Sequence, residues 1–110
     1  MAELKLSQVN DVNINETSYF GTTITTTINK LVEAIGSPEY DEPDENEKVQ
    51  VEWTLLFLDE DDDKLVATIY DWKEYREYDR DEEIEFHIGG YSPYETNRVK
   101  NWIENKLKKS

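Results

Sequence analysis

Two stretches flanking an acidic pentapeptide constrain this chain more than anything else in it. In VQVEWTLLFL (49–58), Val49, Val51, Trp53, Leu55 and Phe57 fall on one face, and KLVATIYDW (64–72) returns Leu65, Ala67 and Ile69 against them. Period-two alternation on both sides of the polar turn DEDDD (59–63) specifies a β-hairpin. The second face is not polar, because Leu56, Leu58, Val66, Tyr70 and Trp72 lie on it. On so small a protein, an apolar second face implies a ligand platform or a self-association surface.

Upstream, residues 4–14 read as one extended segment broken near Asn10 and Asp11. From Thr22 onward, Ile24, Ile28, Leu31, Val32 and Ile35 recur at helical spacing, which predicts an amphipathic helix ended by Gly36 and Pro38. The four threonines among 23–27 are poor helix formers, so packing has to hold this helix. An acidic loop over 38–48 leads into the hairpin, and a second loop over 73–83 leads to a short strand, 84–88, ended by Gly89 and Gly90. A last helix starts with Pro93 at its first position and Ser92 facing Glu95 as a capping box. Its buried stripe is Val99, Trp102, Ile103 and Leu107. The expected order is β-α-β-β-β-α. This is an α+β fold, with an antiparallel three- to four-stranded sheet and two helices packed on one face, in a single domain over 1–110.

Composition narrows the function. Twenty-six acids against twelve bases give a net charge of −14. Between Glu39 and Asp63 there are twelve acids and one base, a local net of −11, whereas Glu95 to Ser110 carries a net of +3. Such a field repels nucleic acid and anionic membranes, so neither is an expected partner. There is no cysteine, hence no disulfide and no thiolate metal site. The opening MAELKLSQVN has no apolar signal core and the longest apolar run is Leu55 to Leu58, so a soluble cytoplasmic protein is expected.

Catalytic chemistry finds little support. His87 is the sole histidine and reads as an outward residue of a short strand, with no second imidazole for a zinc site or a relay. Asp59, Asp61 and Asp63 match the first positions of a calcium loop, but Lys64 and Tyr70 stand where Gly and Glu are required. No phosphate-loop, dinucleotide or nucleophile-elbow motif occurs. A binding protein is expected, without cofactor or metal, and not an enzyme.

Three segments combine rings, glycine and hydroxyls: Tyr19-Phe20-Gly21-Thr22-Thr23 before the first helix, Tyr70 to Arg76 after the hairpin, and Gly89-Gly90-Tyr91-Ser92 before the second helix. Tyr19, Phe20, Trp72 and Tyr91 are candidates for stacking on a base. Thr22, Thr23, Gly89, Gly90 and Ser92 are candidates for phosphate or ribose contacts at helix starts, with Lys73 and Arg98 as charge partners. Each segment also has a purely structural reading: Phe20 as a staple, Ser92 as a cap, Gly89-Gly90 as a turn, Trp72 as packing.

FGT at 20–22, Trp53, VATIYDWKEY at 66–75 and FHIGG at 86–90 resemble a widespread family of small phage-encoded proteins, over residues 19–106. The chain looks like the group of anti-CBASS sponge proteins, which assemble as oligomers around cyclic dinucleotides. That resemblance implies a homo-oligomer in the host cytoplasm that sequesters a signal such as 3′,3′-cGAMP without degrading it. The acidic loops 39–47 and 59–63 depart from the pattern, so nothing is carried over there. Two rival readings are an acidic mimic of nucleic acid, resting on the −11 block, and a virion structural or assembly protein, resting on the apolar second face.

Overall fold

The computed structural model describes residues 4–9, 17–38, 40–41, 49–61, 63–72 and 78–109. Its elements are β1 (Lys5–Val9), β2 (Ser18–Thr26), α1 (Ile28–Ile35), β3 (Tyr40–Asp41), β4 (Val51–Leu58), β5 (Lys64–Tyr70), β6 (Ile84–Gly90) and α2 (Pro93–Lys109). The class is α+β, as the alternation and helix signals indicate. The sheet is larger than expected, with six strands among the described residues in the order β1-β4-β5-β6-β2, and β3 also pairs with β4. All pairings are antiparallel. β1 and β3 share the edge of β4 away from β5, β1 beside Leu55–Leu58 and β3 beside Val51–Glu52.

The hairpin forms as the alternation requires, from Glu52↔Tyr70 to Leu58↔Lys64. In its turn, Asp59 Oδ1 accepts the N–H groups of Asp61 (2.8 Å) and Asp63 (2.9 Å).

The expected helix from Thr22 is corrected. Residues 18–26 are a strand, and the helix is only Ile28–Ile35. In the second half of β2, Thr22, Ile24 and Thr26 are buried while Thr23 and Thr25 are more exposed, a period of two. β-Branched residues at that period suit a sheet edge better than a helix. Ile24 fits both spacings, and that is why the boundary is ambiguous in sequence. The true N-cap is Thr27, whose Oγ1 accepts the Lys30 N–H at 3.1 Å.

A single core lies between the helices and one face of the sheet. Ile28, Leu31 and Ile35 of α1 and Val99 and Ile103 of α2 meet Trp53, Leu55, Phe57, Ala67, Ile69, Phe86 and Ile88. Full burial of each Val, Leu, Ile or Phe side chain among them is worth ~1.5–3 kcal/mol. An eight-residue helix such as α1 is marginal alone, so this contact is what holds it. α2 starts as its cap signals predict: Ser92 Oγ accepts the Glu95 N–H at 3.2 Å and donates to the Glu95 carboxylate at 3.2 Å. No helix among the described residues is long and apolar enough to cross a membrane.

Candidate functional site

With both helices on one side, strand register decides what the other side displays. One cross-strand row on that open face runs Tyr40, Glu52, Tyr70, His87 and Thr23, across β3, β4, β5, β6 and β2. The next row runs Thr54, Thr68, Gly89 and Tyr19. Gly89 has no side chain, and a Cβ there would lie 2.6 Å from Thr68 Oγ1 and 3.3 Å from the Ser18 carbonyl oxygen. A side chain at position 89 would collide with the Thr68 hydroxyl and press on the Ser18 carbonyl, and its absence leaves a low floor between taller residues.

Rings stand around that floor. Tyr19 stacks on His87 with centroids 4.1 Å apart and planes 11° apart. Trp72 lies at 5.9 Å and 28° from His87. Tyr70 meets both edge-on, at 5.5 Å from His87 and 6.1 Å from Trp72. Tyr19 can lean over its neighbour because no side chain stands at Gly89, its cross-strand partner. β2 leaves regular pairing between Tyr19 and Thr23, where Gly21 takes φ 89°, a conformation that other residues rarely adopt. The result is an open dish of about 270 Å³ lined by Tyr19, Glu52, Thr68, Tyr70, Trp72 and Gly89, together with Thr17, Ser18 and Val49.

The electrostatics are those of a partly dry aromatic site. Burial pushes the His87 imidazole below its ordinary 6.5, opposed by the nearby Glu85 carboxylate. Its Nδ1 is buried and has no hydrogen-bond partner among the described residues, so protonation there would strand a charged N–H. Burial raises the Tyr70 phenol, and the neighbouring Tyr19 and Glu52 push the same way. Because His87 is held neutral in the fold, the unfolded chain binds more protons between the two histidine pKa values. Its contribution is complete above the unfolded pKa and is lost as pH falls through the lowered folded value. Urea unfolding is expected to show stability falling from about pH 7 to about pH 5.5, above most carboxylate titrations. His87→Gln should flatten that slope; an unchanged slope would mean His87 does not set it.

The sequence-predicted residues divide between two places. Tyr19, Trp72 and Gly89 come together in the dish, and Thr23 is the cross-strand partner of His87. Thr22 instead faces the helices, its Oγ1 2.8 Å from Thr96 Oγ1, and Thr96 Oγ1 in turn donates to the Pro93 carbonyl at 3.0 Å. Gly90 packs against that same threonine, where a Cβ would be 3.0 Å from Thr96 Cγ2. Ser92 is occupied as a cap with the Glu95 carboxylate beside it, so α2 opens on its own acid. Arg98 pairs with Glu60 at 3.6 Å and lies over the Tyr94 ring at 5.7 Å. Phe20 and Tyr91 are exposed, and neither lines the dish. Lys73 lies outside the described residues. The expectation that 19–23 opens a helix fails with the correction to β2, so no helix start supports a phosphate there.

Sequence reasoning missed Glu52 and underrated His87. Asp71, between two dish residues, faces inward: its Oδ1 accepts the N–H groups of Gln50 (2.7 Å) and Val51 (3.0 Å), and its Oδ2 accepts the Tyr78 hydroxyl (3.0 Å). A second depression of about 380 Å³ beside α1 is lined by Thr27, Asn29, Lys30, Glu33, Asp81 and Glu83. It holds no ring, and Asn29 is already bonded to Asp81 at 2.6 Å. No protein-family model, curated protein or solved structure matches the chain.

Proposed function

We propose that the protein is a non-catalytic binder that holds a nucleobase of a cyclic dinucleotide in the aromatic dish and so sequesters the signal. The observation that carries this reading is the convergence of Tyr19, Tyr70 and Trp72 around the floor made by Gly89 and Thr68, with His87 stacked against Tyr19 beside it. Stacking of a base on an aromatic side chain contributes ~1–3 kcal/mol and is available to any planar heterocycle. The phage setting and the ligand class come from the resemblance of the FGT, YDWK and HIGG segments.

Size supports a particular stoichiometry. Pockets for drug-sized ligands run from ~300 to ~1,000 Å³, and a dish of about 270 Å³ suits a single heterocycle. A ligand with two bases is then shared by two copies of the chain, each taking one base. Titration calorimetry with 3′,3′-cGAMP and related cyclic dinucleotides is expected to give one ligand per two chains. Trp72→Ala should weaken binding by roughly tenfold or more. Ligand released by heat should be recovered intact. No heat with any cyclic dinucleotide at tens of micromolar protein would sink the reading.

A further inference from the structure

We propose that Glu52 makes the dish selective for guanine over adenine. This rests on the reading of the dish as a nucleobase site and adds the identity of the base.

Glu52 stands on β4 directly opposite Tyr70 of β5 and Tyr40 of β3, on the same open face as the rings. It is half-buried, and among the described residues that line the dish it is the one with a charged side chain; the rest are rings, hydroxyls, Val49 and Gly89. An ionised carboxylate only accepts hydrogen bonds. The ligand edge that meets it must therefore present donors.

Guanine offers two donors side by side on its pairing edge, N1–H and the N2 amino group. They match the two carboxylate oxygens in a bidentate, charge-assisted pair. Adenine places its N6 amino donor beside N1, whose lone pair would face the second carboxylate oxygen. That oxygen and N1 would both lose water without gaining a partner, which is the costly case for buried polar groups. Glu52 also has an interaction within the chain. A carboxylate has about four lone-pair sites, so one interaction does not exhaust its capacity to accept. A matched bidentate contact is worth ~1–3 kcal/mol against the wrong base, or roughly five- to 150-fold in affinity.

The sharpest test is Glu52→Gln. An amide presents one acceptor and one donor, the complement of adenine's N1 and N6. Cyclic di-GMP, cyclic di-AMP and 3′,3′-cGAMP are titrated into the wild-type chain and into E52Q. The expected wild-type order is di-GMP tightest, the mixed ligand next and di-AMP weakest, with roughly tenfold or more between the extremes. In E52Q the preference should vanish or reverse. Equal wild-type affinities, or an E52Q variant that keeps the guanine preference, overturns the role of Glu52 and leaves the nucleobase site standing. Failure of all three ligands to bind the wild type overturns both. Should E52Q not fold, the wild-type ranking still decides the point.

Discussion

Trp53→Ala is expected to remove on the order of 3–5 kcal/mol of stability, a large share of the 5–15 kcal/mol typical of whole domains. Trp53 is fully buried and is the largest such side chain among the described residues. It meets Phe86 edge-to-face at 6.0 Å, so its removal opens a cavity at the centre of the sheet's core face. Its indole Nε1 also donates to the Gly36 carbonyl at 2.7 Å, joining the end of α1 to β4. Since α1 has only eight residues, losing that tie and the ring beneath it should release the helix from the sheet. Trp53→Phe keeps most of the volume and loses the hydrogen bond, so it should cost about 1–2 kcal/mol. Urea unfolding followed by circular dichroism measures both. An alanine variant within about 1 kcal/mol of wild type would contradict this account of the core, because large-to-small changes at full burial cost more than that.

The elements that declare themselves in sequence are those whose signals are local. The hairpin is legible because Val51, Trp53, Leu55 and Phe57 alternate over a full strand and the turn is unmistakably polar. α2 is legible from Pro93, Ser92 and Glu95, which fix its start within one turn. The β2–α1 boundary is not, because Ile24 serves either period and only pairing with β6 selects the strand. The dish is legible in part. Tyr19, Trp72 and Gly89 stand out as ring and glycine residues in loop-like segments, yet nothing local says that they meet. His87 joins them because β5 and β6 pair in a register that sets it opposite Tyr70. Glu52 enters through the same kind of long-range registration, one strand further on. Thr22, Gly90 and Ser92 show the converse. Their glycine-and-hydroxyl chemistry fits a phosphate cradle, and the fold uses it to dock α2 onto β2 and β6.

Asp71→Ala is expected to be as damaging as the loss of the tryptophan, and for an electrostatic reason. The carboxylate is fully buried and accepts from three donors: the Gln50 and Val51 N–H groups and the Tyr78 hydroxyl. Removing the acceptor strips two backbone donors of their partner at the start of β4, at ~1–3 kcal/mol for each buried group left unsatisfied, and also removes one acceptor of the Tyr78 hydroxyl. A total of about 3–5 kcal/mol follows. The position matters for binding as well as for stability. Asp71 lies between Tyr70 and Trp72, so anchoring its side chain inward holds both neighbours on the open face, as strand alternation dictates. Asp71→Ala should therefore loosen the ring pair, and base binding should weaken even under conditions where the variant remains folded. Asp71→Asn separates geometry from charge: its carbonyl oxygen can still accept both backbone N–H groups, and its amide can donate to the tyrosine oxygen. That variant should keep most of the stability and the binding. If Asn proves as damaging as Ala, the buried charge and not the acceptor geometry holds this corner. If Ala is harmless, Asp71 does not hold the Tyr70–Trp72 pair in place.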